Sequence, residues 1–438
     1  MLFLSIDMKQ EKPQLVRGMR DLLYDEAEKL LYIIDISREI SYKYGYREAI
    51  LPTIEYYSLF AEKSGYEITK RMYVFDDLSG RKIALRPELT PSVARVFINK
   101  LQVMPKPLRI SYFANVFRYD EPQKARYREF WQAGFEHLGS KSALADIEVI
   151  RLAYDIFETL ELGEVSLKLG SMDLIKKIFL NAGVEYGSLP YFLYLTDKRK
   201  FDDLKKELNK YEKGNEAYES ISQLANLQGT AEAKISEALH LLKNEELKET
   251  VNDIKYIYDV LRLIGIKEIV LDLSFARGIE YYTGIIYEFQ HKELEVSIGG
   301  GGRYDLLIEY YGGPKTPATG CALGIDRIAL LLKKEFKKNL SSAMIFALDQ
   351  SDSLVSKVFE IAAILRKHDF QAVIETGEKD IAQALAKASK LGYDLFIILG
   401  SKELREGKVA VRNLKERTQY EVAIDNLADF LLKFKRKD

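Results

Sequence analysis

The last hundred residues alternate between two periodicities, and that alternation most constrains the fold. AMIFALD (343–349), QAVIE (371–375) and YDLFIILG (393–400) read as strands, separated by helical stretches at 353–367 and 378–391. KVAVRNL and TQYEVAI follow as two more strands, and 425–436 as a last helix. Strands alternating with helices predict a separate small α/β domain with its own core. The charged run KEFKKNLS (334–341) reads as the linker before it. With 438 residues, 47% of them hydrophobic, the chain is long enough for two or three domains.

Upstream the pattern differs. Residues 21–44 carry apolar side chains at Leu22, Ala27, Leu30, Leu31, Ile34 and Ile40, an amphipathic helix that Gly45 ends. A strand at Arg47–Leu51 meets Pro52, and residues 70–86 read as a hairpin turning at Leu78-Ser79-Gly80. A helix runs from Pro91 to about Asn99, with Thr90 as N-cap. Residues 107–120 and 128–138 read as strands joined by a polar, basic loop, and 146–160 as a helix. From about 175 to 260 the chain is rich in Lys, Glu, Leu and Asn, with helical periodicity and little Gly or Pro, as in a helical insertion. Strands return between 268 and 300, and a helix at 325–334 closes this part.

Net charge is −1, so a nucleic-acid partner would be met by local patches rather than by the whole field. A single cysteine excludes an intrachain disulfide framework and a Cys-based zinc site, and suits a reducing, cytoplasmic setting. The four histidines are scattered without metal-ligand spacing, so no protein-held metal is expected. MLFLSIDMKQEK is too short and too early charged for a signal peptide, and no apolar run reaches membrane-spanning length.

Five charged segments, four of them punctuated by glycine, carry the chemistry. Phe117–Glu136 places Arg118, Arg126 and Arg128 around a loop that Pro122 keeps from becoming helix, and guanidinium forks suit phosphate oxygens. On the strand that follows, Phe130, Gln132, Gly134 and Glu136 share one face: an aromatic, an amide, a gap and a carboxylate. Leu85-Arg-Pro-Glu-Leu-Thr-Pro91 sets Glu88, a carboxylate able to bind an ammonium group, and Thr90 at a turn before a helix. Phe275-Ala-Arg-Gly-Ile-Glu-Tyr-Tyr-Thr-Gly284 puts Arg277 beside Tyr281 and Tyr282. A placed cation next to aromatic and hydrogen-bonding groups suits an anion and a small polar ligand. In Ser297-Ile-Gly-Gly-Gly-Gly-Arg-Tyr-Asp305, Gly299, Gly300, Gly301 and Gly302 let backbone pass close to a ligand, but the run is neither a P-loop nor a dinucleotide fingerprint. Gly320–Leu332 leads a Gly-rich strand into an apolar helix with Arg327 in its first turn, near amide dipoles that also favour anions. Cys321, with no histidine nearby, reads as a small core residue.

Together these segments resemble class II aminoacyl-tRNA synthetases, and closely the histidyl-tRNA synthetase family. Residues 117–136 are similar to the second class motif, 320–332 to the third, and the helix–strand–proline arrangement ending at Pro52 to the first, which builds the family's homodimer interface. RGIEYYTG and GGGGRYD resemble the histidine-specific signatures, and the C-terminal region with ILGSKELREGKVAVRNL resembles the anticodon-binding domain. The resemblance implies an antiparallel-sheet catalytic domain (1–174 and 261–334), a helical insertion (175–260) and a mixed-sheet α/β anticodon-binding domain (335–438). It implies ATP as substrate, Mg2+ on its outer phosphates, and tRNA(His), histidine and a second copy of the chain as partners. Glu88, Thr90, Gln132, Glu136, Tyr281 and Tyr282 would line the histidine pocket, with Glu88 on the amino group and Glu136 on the imidazole. Arg118 would bind the α-phosphate, Arg126 and Arg327 the distal phosphates, and Phe130 would stack on adenine opposite Arg327. Arg277 would meet the α-phosphate as it is attacked, in the role a metal ion supplies in other class II enzymes. Gln123 and Lys124 would approach the tRNA acceptor end, and Gly299–Gly302 with Tyr304 would form a floor.

Four residues, in three places, depart from the family pattern. Asp120-Glu121-Pro122 stands where Glu-Arg-Pro is usual, Ala125 where glycine is common, and Glu280 where aspartate is common. These touch the acceptor-stem loop more than adenylation. A competing expectation is a non-catalytic paralogue, the synthetase-like regulatory subunit of ATP phosphoribosyltransferase, which typically lacks the anticodon domain and a complete arginine set. An RNA-binding protein without chemistry would carry a strong basic excess, which is absent.

Overall fold

The computed structural model describes residues 12–61, 66–123, 125–278, 280–333, 340–377 and 380–435. Lys124 and most of the charged run 334–341 lie outside them. The chain divides into two compact units, Met1–Phe336 and Lys337–Asp438.

In chain order the strands of the first unit are β1 (Arg47–Glu48), β2 (Ile54–Tyr56), β3 (Val74–Asp76), β4 (Lys82–Leu85), β5 (Leu108–Phe117), β6 (Glu129–Leu138), β7 (Val165–Ser171), β8 (Ile269–Leu271), β9 (Ile285–His291), β10 (Gly299–Arg303) and β11 (Ala318–Gly324). Eight of them form one sheet in the order β1-β5-β6-β11-β10-β9-β7-β8, and β2-β4-β3 form a small second sheet. The central pairs of the large sheet are antiparallel; only the edge pairs β1–β5 and β7–β8 are parallel. The helix Ala143–Thr159 starts at Ser142, whose hydroxyl accepts from Leu144 N. It buries Val149, Ile150, Leu152, Ala153 and Ile156 in the core against this sheet. The helix Asp25–Lys43 covers the same core with Leu30, Ile33, Ile34 and Ile40, while Leu31 faces solvent. Gly45, at φ +81°, ends that helix in the left-handed conformation that costs glycine least.

Between β7 and β8 lie six α-helices, from Met172–Asn181 to Glu245–Leu263. Their apolar stripes continue the core of the sheet rather than closing on themselves. Two expectations change. The strand Arg47–Leu51 shortens to two residues. The four glycines do not follow a strand: they are β10, paired on both sides in the interior of the sheet. A side chain there has nowhere to go, since a Cβ at Gly301 would lie 2.0 Å from Gly320 O and one at Gly302 2.4 Å from Ile285 O.

The second unit holds β12 (Ser342–Ala347), β13 (Gln371–Ile374), β14 (Leu395–Leu399), β15 (Lys408–Asn413) and β16 (Thr418–Ala423), ordered β13-β12-β14-β15-β16. β12 runs parallel to β13 and β14, and the other pairs are antiparallel. Alternate residues of β12 face opposite ways. Ala343 and Ile345 pack with Leu354, Val358 and Ile361 of the helix Asp352–Lys367. Met344 and Phe346 pack with Ala384 and Ala388 of the helix Ile381–Lys390. This is the mixed-sheet α/β domain that the alternation predicts.

Candidate active site

The site is built on a row of small residues. Tyr112 of β5 pairs with Gly134 of β6, Gly134 with Ala322 of β11, and Ala322 with Gly300 of β10. A Cβ at Gly134 would fall 1.9 Å from the Tyr112 ring, so the gap expected on β6 is filled by that tyrosine from the next strand. A Cβ at Gly300 would meet Arg277 Nη1 at 2.7 Å. Glycine is therefore needed at both places by what lies over it, and the sheet becomes a floor with functional side chains around it.

At one end stands Glu136, 1% exposed. Thr90 Oγ1 donates to its Oε1 at 2.7 Å, Tyr112 OH donates to the same oxygen at 3.1 Å, and Tyr304 OH donates to Oε2. Burial pushes this carboxyl up to about 7, although the three hydroxyls pull the other way; the like charge of Glu88 adds to the rise. Gly320 is the cross-strand partner of Glu136, and a Cβ there would lie 1.8 Å from Oε2. Thr90 is not an N-cap. It is the first residue of the helix Thr90–Val96, no side chain caps that end, and its hydroxyl serves Glu136 instead.

Glu88 reaches the cleft through a turn fixed from below. Buried Arg86 donates to Leu51 O, Pro52 O and Asn115 O, locking the Pro52 segment to β5. Tyr281 OH donates to Glu88 Oε2 at 2.8 Å. Arg118 donates from Nε to Pro87 O at 2.9 Å and lies over the Phe130 ring, 5.4 Å from its centroid. Gln132 Oε1 is buried with no hydrogen-bond partner among the described residues, an acceptor left for a ligand.

The other end is cationic. Arg277 donates from Nη1 to Tyr287 O at 3.3 Å, pairs with Glu288 at 3.4 Å, and lies 5.8 Å from the Tyr282 ring centroid. Arg327 donates to Ala125 O at 3.1 Å and to Ser297 O at 2.6 Å. Burial, then the positive charges of Arg118 and Arg126, lower its affinity for its proton, the mark of cations crowded together. Such crowding persists where an anion is to be met.

One cleft thus gathers Glu88, Thr90, Gln132, Glu136, Tyr281, Tyr282 and Tyr304 with Arg118, Arg126, Phe130, Arg277 and Arg327, over Gly299 and Gly300. Gly301 and Gly302 do not line it. Gln123 sits exposed in the loop outside it, bridged to Arg126. Arg128 turns away, stacking 3.7 Å from the Tyr119 centroid. Arg303 and Asp305 also leave the site: Arg303 pairs with buried Asp146 at 2.5 Å and donates to Ser140 O, Ser142 O and Asp305, tying the helix Ala143–Thr159 to β10. The residues missed were Tyr112, Glu288 and Lys176. Tyr112 was findable as the large residue opposite Gly134, once the register of the hairpin is known. Lys176, on the first helix after β7, donates to Tyr282 O at 2.5 Å and Glu280 O at 3.2 Å, and has no motif to announce it.

The departures have structural partners. Asp120 pairs with Arg71 at 3.0 Å, and Glu121 with Arg17 at 3.4 Å in full solvent. Ala125 holds φ +66°, where glycine is the easier residue.

The family model described as histidyl-tRNA synthetase matches residues 18–328, and the one described as anticodon binding domain matches 342–434. A histidine–tRNA ligase of Saccharolobus islandicus (strain M.16.27) is 38% identical over 423 residues, which is 95% of this chain and 98% of the relative. One of Saccharolobus solfataricus is 37% identical over the same shares. The fold is shared with an ATP phosphoribosyltransferase regulatory subunit/histidyl-tRNA synthetase from Bacillus halodurans, with TM-score 0.75 and 24% identity over 91% of this chain and all of the other. It is shared also with the apo histidyl-tRNA synthetase of S. aureus, with TM-score 0.68 and 23% identity over 96% and 99%. The motifs, the sheet and the cleft they surround therefore have one source: the chain belongs to the histidyl-tRNA synthetase family.

Proposed function

We propose that the cleft activates histidine with ATP and passes it to the 3′ end of tRNA(His). The observation that carries this is the polarity of one cleft. Buried carboxylates Glu136 and Glu88 occupy one end, and Arg118, Arg126, Arg277 and Arg327 crowd the other. Glu136, held by Thr90, Tyr112 and Tyr304, accepts the imidazole N–H, and Glu88 meets the α-ammonium. Gln132, Tyr281 and Tyr282 line the amino acid between them. Phe130 and Arg327 sandwich adenine, Arg118 holds the α-phosphate, and Arg126 and Arg327 hold the outer phosphates. A carboxylate oxygen of histidine attacks the α-phosphorus, the bond to the β-phosphate oxygen breaks, and pyrophosphate leaves in line. Charge builds on the α-phosphate oxygens, where Arg277 is fixed by Glu288 and Tyr287; placed cations, more than a general base, serve this step. A terminal ribose hydroxyl then attacks the histidyl carbonyl and AMP departs.

Magnesium enters as part of the nucleotide. No cluster of three metal-ligating side chains exists among the described residues, so the phosphates would hold the ion. On this reading residues 1–174 and 261–334 form the catalytic domain, 175–260 an insertion and 335–438 the anticodon-reading domain, with Gln123 and Lys124 toward the acceptor end. A second copy would cover the exposed apolar side chains Leu23, Tyr24, Leu31 and Ile50. The setting is the cytoplasm, where tRNA is charged; no helix among the described residues is long and apolar enough to cross a membrane.

Histidine-dependent ATP–pyrophosphate exchange tests the proposal. Folded protein without exchange overturns it and leaves the regulatory-subunit reading, which needs only the histidine end. Arg277→Ala should lower the exchange rate about 10²–10³-fold while histidine binding is largely kept. Equal losses in both would make Arg277 part of the ground-state pocket.

A further inference from the structure

Behind the nucleotide end of the cleft runs an N-terminal strap, Arg17-Gly18-Met19-Arg20, that none of the motifs contains. It is tied down by backbone and side chain. Gly18 O accepts from Arg128 N at 2.9 Å, and Arg128 Nη1 donates to Arg17 O at 3.3 Å. Gly18 holds φ +87°, and a Cβ there would lie 2.7 Å from Arg128 Cγ and Cδ, so the strap closes on Arg128 only as glycine.

At the end of the strap Arg20 touches two separate pieces of the site and reaches a third through Asp326, without lining the cleft itself. Its guanidinium lies 3.5 Å from the centroid of the Tyr127 ring. Its Nη2 pairs with Asp326 Oδ1, and Asp326 Oδ2 accepts from Trp131 N at 2.6 Å. Each contacted residue adjoins a nucleotide-side group: Tyr127 follows Arg126, Trp131 follows Phe130, and Asp326 precedes Arg327. One planar cation thereby sets the loop, β6 and the helix Ile325–Leu331 against one another. No group at the histidine end is reached by these contacts.

We propose that Arg20 is a positioning residue for the nucleotide half of the cleft, holding Arg126, Phe130 and Arg327 in mutual register. This rests on the reading of that half as the ATP site. The test uses the full chain with Arg20→Met and Arg20→Lys, and reads KM for ATP and for histidine separately in pyrophosphate exchange. ATP binding without turnover is read separately, by calorimetric titration of the unreacted protein with ATP. Arg20→Met should raise KM for ATP on the order of 10-fold, below the roughly 10²-fold that a 1 Å misplacement can cost, with KM for histidine within about 2-fold. It should also weaken ATP binding in that titration to the same extent. Arg20→Lys keeps the charge for Asp326 and loses the planar stack on Tyr127, and should fall between the two. If Arg20→Met does not fold, Arg20→Lys and Tyr127→Leu carry the test, each expected to raise KM for ATP alone. Equal rises in both KM values, or no change in either, overturn the proposal. Wild-type protein that binds ATP without exchange would instead sink the synthetase reading, and the ATP titration of the variants would still decide the role of Arg20.

Discussion

Glu136 shows how one carboxyl is tuned by its surroundings. Burial raises it to about 7 from an ordinary value of 4.5, with hydroxyls from three different elements opposing the rise. Between those two values the folded chain keeps a proton that the unfolded chain has lost. Stability contributed by this group is therefore present at pH 4.5 and lost as pH rises through about 7, at most about 3 kcal/mol in all. Glu136→Gln cannot ionise and should flatten that window, so thermal unfolding followed from pH 5 to 8 should show wild type losing ground to the variant. The same substitution should raise KM for histidine about tenfold or more and leave KM for ATP nearly unchanged. Most single residues of the site were legible because their chemistry is unusual for their position: arginines beside glycines, and a carboxylate on a strand face. Arg128 and Arg303 carry the same chemistry, yet they serve structure. Only the fold distinguishes a guanidinium aimed at a cleft from one aimed at Tyr119 or Asp146.

At the scale of elements, periodicity found the long helices and the α/β alternation of the second unit, because apolar stripes and two-sided strands follow from geometry alone. It misplaced β10, since four glycines have no pattern to read, and overextended β1, whose pairing depends on a partner about sixty residues away. It was silent on the link between the first helix after β7 and the signature turn. Lys176, half-buried and pushed down to about 8 by that partial burial, donates to the carbonyls of Glu280 and Tyr282 and so holds the turn that presents Arg277 and Tyr281. Lys176→Met should lower the exchange rate about tenfold, and Lys176→Arg should restore part of it. Its proton is held less tightly in the folded chain, so the stability this lysine costs is relieved between about pH 8 and 10.5. Unfolding of Lys176→Met across that range should lack the wild-type rise.

For the whole molecule, the two units keep separate cores: none of the buried residues around β12–β16 belongs to the cluster around the large sheet. The described residues that line the cleft all belong to the first unit. A chain ending near residue 340 should fold and support pyrophosphate exchange at close to the full rate, yet charge tRNA(His) far less efficiently. Undiminished charging would remove the anticodon-reading role from 335–438. Fold class was legible here because each unit repeats its signal over many residues.

The pairing of β6 with β11 has a consequence in time. The two strands are separated in the chain by the whole helical segment, and every contact between Glu136 and its floor at Gly320 waits on that distance. At about 5–20 residues per second of synthesis, roughly 10–40 s pass between the appearance of Glu136 and that of Arg327. Through that interval the β6 edge is an open template for other strands, and its future buried carboxylate lies in water. A nascent chain of this protein should engage holding chaperones until about residue 324 has emerged, and should release them when β11 closes the sheet.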